Sequence, residues 1–182
     1  MRSVVFAATL LLSSAISAQE VTDIARAMVG YLNVELSKSR FKPMTLHFEN
    51  CADTCVYKLT NTSFLEIAGS AKQVERVRLV ANIENNPAAT DFSDDLKAAT
   101  FLYSLILWGN LPASATYDDA SRFLSDLLNK SAKDGAAVAT ANGWAYGVVH
   151  IRCFGASTML VALRTFSASI SDVGELPVLC KT

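Results

Sequence analysis

The stretch Cys51-Ala52-Asp53-Thr54-Cys55 narrows the folding options more than any other in this chain. Four cysteines are present, at positions 51, 55, 153 and 180. An even count behind a secretory leader points to two disulfides, because oxidising compartments keep cysteines paired. Three pairings are possible, and the local sequence favours one. Met44–Glu49 alternates apolar and polar residues as a half-buried strand does. Val56–Thr60 reads as a second strand. If Ala52, Asp53 and Thr54 form the tip between them, Cys51 and Cys55 stand opposite one another. Directly opposed strand residues lie about 4.5–5.5 Å apart, within reach of a disulfide. The expected bonds are therefore Cys51–Cys55 and Cys153–Cys180, the second clipping the C-terminal tail to a late strand. Zinc would want paired ligands in two close clusters. Here the second cysteine pair is split, and His47 and His150 stand alone, so no metal site is expected. A redox pair would want two intervening residues at the start of a helix, and this spacing is longer.

The leader is the first 18 residues. Arg2 supplies a positive start, Val4–Leu12 a short apolar run, and small residues lead to an expected cut near Ala18. The run is shorter than the ~20 residues that span a bilayer. No cysteine follows the cut, so no lipid anchor is expected there. The product is expected in the periplasm or outside the cell, without stable membrane insertion. Residues 19–182 suit one domain with its own core. The whole chain has 16 Lys and Arg against 17 Asp and Glu, and losing Arg2 with the leader makes it one unit more negative. With no cluster of basic residues, nucleic acid is not an expected partner.

A helix is expected from Thr22 to about Lys38. Ile24, Ala25, Met28, Val29, Leu32 and Leu36 share one face, and Pro43 breaks the chain before the first strand. Phe64–Ala68 and Val74–Ile83 read as further strands. Asn85–Thr90 is a loop. A helix starts near Ser93 and runs through an almost wholly apolar stretch to Trp108, ended by Gly109-Asn110 and Pro112. Thr116 caps another, with Asp119 in a capping-box position. Asn142-Gly143 between extended runs is a strong hairpin signal, and Gly155-Ala156 marks a second turn before Ser157–Thr165. Strands joined by short turns must be antiparallel. The expectation is an α+β domain: an antiparallel sheet of about seven strands in two meanders, with three helices packed on one face.

The chemistry-bearing patterns are sparse. G-x-S-x-G, Walker and G-x-G-x-x-G motifs are absent, so neither a catalytic set nor a cofactor is expected. Ser39-x-x-Lys42 has serine–lysine spacing but lacks its partner motifs. Asp94-Asp95 and Asp118-Asp119 each open a helix, where the helix dipole accounts for them. Asn61 and Asn129 begin sequons that matter only in a eukaryotic secretory pathway. Arg76 and Arg78 share one strand face, expected to be either a solvated sheet face or a small anion site. Trp144, Tyr146 and His150 share another. Its counterpart, Ala145 to Ile151, is smaller and aliphatic. The expectation is that helices cover the Ala145–Ile151 side and leave Trp144, Tyr146 and His150 as a recognition surface; the alternative is that the aromatics are core.

These features suggest a secreted or periplasmic non-enzymatic protein that binds another protein, as an inhibitor, immunity factor or secretion accessory does. Two alternatives stand beside it. One is a carrier of a small apolar ligand between sheet and central helix. The other is a small hydrolase whose residues meet only in space.

Overall fold

The computed structural model describes residues 22–39, 44–70, 73–82, 94–164 and 173–180. The leader, the break at Pro43, the 85–90 loop and the first part of the tail lie outside the described residues. The chain forms α1 (residues 22–38), then strands β1 (His47–Cys51), β2 (Thr54–Lys58), β3 (Phe64–Ser70) and β4 (Gln73–Asn82). Helices α2 (Asp94–Asn110) and α3 (Tyr117–Asp134) follow. Strands β5 (Ala136–Ala141), β6 (Trp144–Arg152) and β7 (Ala156–Arg164) come next, and a short 3-10 turn covers Val178–Cys180. The fold is α+β. One seven-stranded antiparallel sheet runs in the order β1-β2-β3-β4-β7-β6-β5. It is two meanders joined where β4 pairs with β7.

The turns follow from local chemistry. Asn142 and Gly143 take φ of 49° and 76°, the positive values that a two-residue hairpin matching strand twist requires. Cys51 is in register with Cys55 around the Ala52–Thr54 tip, and the two are bonded. Thr116 accepts from the Asp119 backbone N–H, and Asp119 accepts from the Thr116 backbone N–H. The Thr116 hydroxyl also donates to the Asp119 carboxylate, and the backbone bond, then this one, hold that carboxyl below its ordinary value.

Period-two alternation sorts each strand between two faces. Cys55, Tyr57, Leu65, Ile67, Val77, Leu79, Leu160, Ala162, Tyr146 and Val148 point to one side, where all three helices bury their apolar stripes. α2 is central. Leu102, Tyr103 and Leu107 are fully buried, and only near its end does Trp108 emerge. A helix apolar on nearly every side belongs between other elements, here over β4 and β7 with α3 beside it. The opposite face carries Val56, Phe64, Val80, Ala145, Met159, Val161 and Leu163, and residues 173–180 cross it as a strap.

The helices therefore cover the Trp144–Tyr146 side, and the expectation that they cover Ala145–Ile151 is corrected. The reason lies in the strap. A β-carbon at position 147 would collide with the Val173 side chain, so the small residues of β6 serve the close approach of the tail.

Cys153–Cys180 anchors the end of that strap. In the chain-entropy picture its closed loop contributes about 3.6 kcal/mol, against about 2 kcal/mol for Cys51–Cys55. Replacing both Cys153 and Cys180 by serine should lower the unfolding free energy more than replacing Cys51 and Cys55. Denaturant titration of the two double variants checks this, and equal losses would contradict it.

Candidate functional site

Where α1 and the end of α2 meet the sheet, an open cleft of about 250 Å³ remains. Met28, Tyr31 and Leu32 line it from α1, and Leu105, Ile106, Gly109 and Asn110 from α2. Val74 and Val77 of β4 and Trp144 of β6 complete it. Each is there for a local reason. Leu32 and Met28 sit on the stripe by which α1 packs. Gly109 lacks a side chain, and a β-carbon there would meet nothing, so the cleft stays open at the end of α2. Trp144 is only 7% exposed, and the Arg164 guanidinium lies 5.6 Å from its ring centre, within the range of cation–π attraction. Tyr31, by contrast, is 51% exposed at the rim. The lining offers one phenol, one amide and one indole as polar side chains, and no carboxylate, imidazole or thiol. Such a lining is suited to apolar groups.

The three residues expected as a recognition surface separate. Tyr146 is fully buried, edge-on to Tyr103 and Phe123. Burial pushes its phenol above the ordinary value. Trp144 is nearly buried, lining the inner part of the cleft. His150 alone is exposed, towards the other end of β6, with Nδ1 3.3 Å from the Thr158 hydroxyl. The grouping is corrected for a simple reason. The helices need the larger residues of the strand to fill the space between layers.

The solvated face expected for Arg76 and Arg78 is corrected at Arg78, and the anionic group the pair meets is a carboxylate of the chain itself. Arg78 is 1% exposed, and its Nη1 lies 3.5 Å from Glu66, itself 1% exposed. Glu175 on the strap accepts from Arg76 at 3.0 Å and from Arg78 at 2.7 Å through one oxygen. Glu66 also accepts the Val178 backbone N–H at 2.6 Å. Two arginines and two carboxylates thus meet beneath the strap with no net charge. Burial, then the Arg78 charge, lower the Arg76 guanidinium below its ordinary value, and Glu175 opposes them.

No family model, curated protein or solved structure matches this chain.

The remaining chemistry-bearing residues are dispersed. Asp95 accepts from Thr60 at 2.9 Å and Ser63 at 2.6 Å, tying the β2–β3 turn to α2. Asp118 and Asp119 open α3 at the other end of the α2–α3 pair, roughly 25 Å away along α2. His47 lies exposed on β1. Among the described residues no three His, Cys, Asp or Glu side chains group as a metal site. Nor is any described helix long and apolar enough to cross a membrane.

Of the cleft residues, Tyr31 carried no signal in the sequence, and Val74 and Asn110 signalled only a strand start and a helix end. Glu66 did carry one: it is the single charge in an apolar strand, at the parity that faces Arg78 on the next.

Proposed function

We propose that this is a non-catalytic protein of the periplasm or extracellular space, released from its leader near Ala18, that binds a protein partner through the cleft between α1, α2 and the sheet. The cleft is the observation that carries the reading. Its volume of about 250 Å³ falls below the ~300–1,000 Å³ usual for sites that enclose a small molecule. It suits one or two apolar side chains presented by another protein. Buried aromatic anchors in such pockets dominate the energetics of protein interfaces. Trp144 offers a ring inside the cleft, and Tyr31 a flat amphipathic surface at its mouth. Two disulfides fit an oxidising location.

Gly109→Leu tests the reading. The leucine side chain enters open space and fills the cleft, while a helix gains roughly 0.5–1 kcal/mol when glycine is replaced by a good helix former. The variant should melt at or above the wild-type temperature. It should bind the partner captured by the wild-type protein from its native envelope at least about tenfold more weakly. Unchanged affinity would refute the assignment. A carrier of apolar ligands would instead show a rise in melting temperature when delipidated protein meets fatty acids or sterols.

A further inference from the structure

The two edges of the sheet are built differently. β1 is five residues long, bulged between Phe48 and Asn50, stapled by Cys51–Cys55 and flanked by the Glu49–Lys58 ion pair. Bulges, short length and charge are the devices that keep an edge from pairing with another chain. β5, Ala136-Ala137-Val138-Ala139-Thr140-Ala141, is only one residue longer but has neither the bulge nor the staple. It carries no charge and no proline, and its register with β6 is unbroken. Among the described residues nothing hydrogen-bonds its outer side.

The register shows which groups are offered. The His150 N–H bonds to Gly135 O, so position 135 faces β6, and alternation assigns 137, 139 and 141 to the same ladder. Ala136, Val138 and Thr140 then direct their N–H and C=O groups outward. This set is self-complementary. About a two-fold axis at Val138, Ala136 of one copy meets Thr140 of the other, and Val138 meets Val138. Small uncharged side chains bring no like-charge opposition.

α3 adds charge complementarity. It packs over β5 and β6, with Ser121, Ser125 and Leu128 facing α2 across a groove. At 100° per residue, Asp119, Asp126, Lys130, Lys133 and Asp134 project from the far side, over the β5 edge, and all five are exposed. Asp119 and Asp126 lie towards the start of the helix; Lys130 and Lys133, with Asp134 beside them, leave its end with one net positive charge. A two-fold axis through β5 sets α3 antiparallel to its copy, so each acidic half meets a basic half and the helix dipoles oppose favourably.

We propose that the protein forms a two-fold dimer in which β5 pairs antiparallel with β5 of a second copy and α3 lies against α3. The dimer continues one sheet across both copies and leaves the armoured β1 edges at its ends. It uses the outer edge of β5, one strand beyond the Trp144 that lines the α1–α2 cleft.

Sedimentation analysis of the mature protein tests this, with two variants. Val138→Pro removes an outward N–H without taking a bond from the β6 ladder, and proline is tolerated at sheet edges. It should remain folded by circular dichroism and dissociate at least about tenfold more readily. Lys130→Glu with Lys133→Glu changes only exposed side chains and should also weaken the dimer by about tenfold or more. A wild-type protein that stays monomeric at high micromolar concentration overturns the proposal. So does a dimer indifferent to Val138→Pro. If Val138→Pro does not fold, the lysine variant decides, and an unweakened dimer overturns the proposal.

Discussion

Replacing Arg78 by methionine is expected to lower the unfolding free energy by about 3–5 kcal/mol, as removal of one member of a buried ion pair does. Arg78 and Glu66 are each 1% exposed. Without the guanidinium, the Glu66 carboxylate keeps one backbone donor, from Val178, and faces the apolar side of the sheet with its charge uncompensated. Replacing both residues, Glu66→Leu with Arg78→Met, removes both desolvation penalties and should recover most of the loss, since well-packed apolar substitutes for buried pairs are often neutral or stabilising. Glu175→Ala should cost less than Arg78→Met, because Glu175 is about half exposed and water replaces part of what it does. Urea titrations of the single and paired variants measure all three. A loss below about 1 kcal/mol for Arg78→Met, the level of a surface pair, would mean that the strap does not seal this network from solvent.

Tyr146→Ser carries a comparable expectation, a loss of about 3–5 kcal/mol, the range for emptying an aromatic core site. The phenol distinguishes this site from its neighbour. The Tyr146 hydroxyl is buried and has no hydrogen-bond partner among the described residues, whereas the Tyr103 hydroxyl donates to the Val161 carbonyl. Tyr146→Phe removes an unsatisfied polar atom and should be neutral or stabilising; Tyr103→Phe removes a made bond and should cost about 1 kcal/mol. Thermal and denaturant unfolding of the two phenylalanine variants read the difference. A stable, fully folded Tyr146→Ser protein would return this residue to the surface.

Much of the fold was legible because the signals were local. The α1 stripe and the Thr116–Asp119 cap each depend on residues a few positions apart. So does the positive-φ turn at Asn142-Gly143. The order of two meanders around a helical pair follows from short turns, which admit only antiparallel neighbours. The cleft was not legible. Met28, Val74, Ile106 and Trp144 come from four elements, and nothing in the sequence ties them to one another. Glu66 and Arg78 were half legible. Their parity and opposite signs were visible, but Glu175, which completes the network, is 97 residues beyond Arg78.

The sequence by itself determined the elements, the antiparallel pairing within each meander and the hairpin that brings Cys51 opposite Cys55. Each rests on backbone geometry that residues within a few positions impose. Only the tertiary structure decided which side of the sheet the helices take. Alternation along β6 separates Trp144, Tyr146 and Val148 from Ala145, Gly147 and Val149, but it is symmetric with respect to what covers each set. Packing breaks that symmetry. The helices leave a gap that large rings fill, and the C-terminal strap passes close enough over Gly147 that no side chain fits beneath Val173.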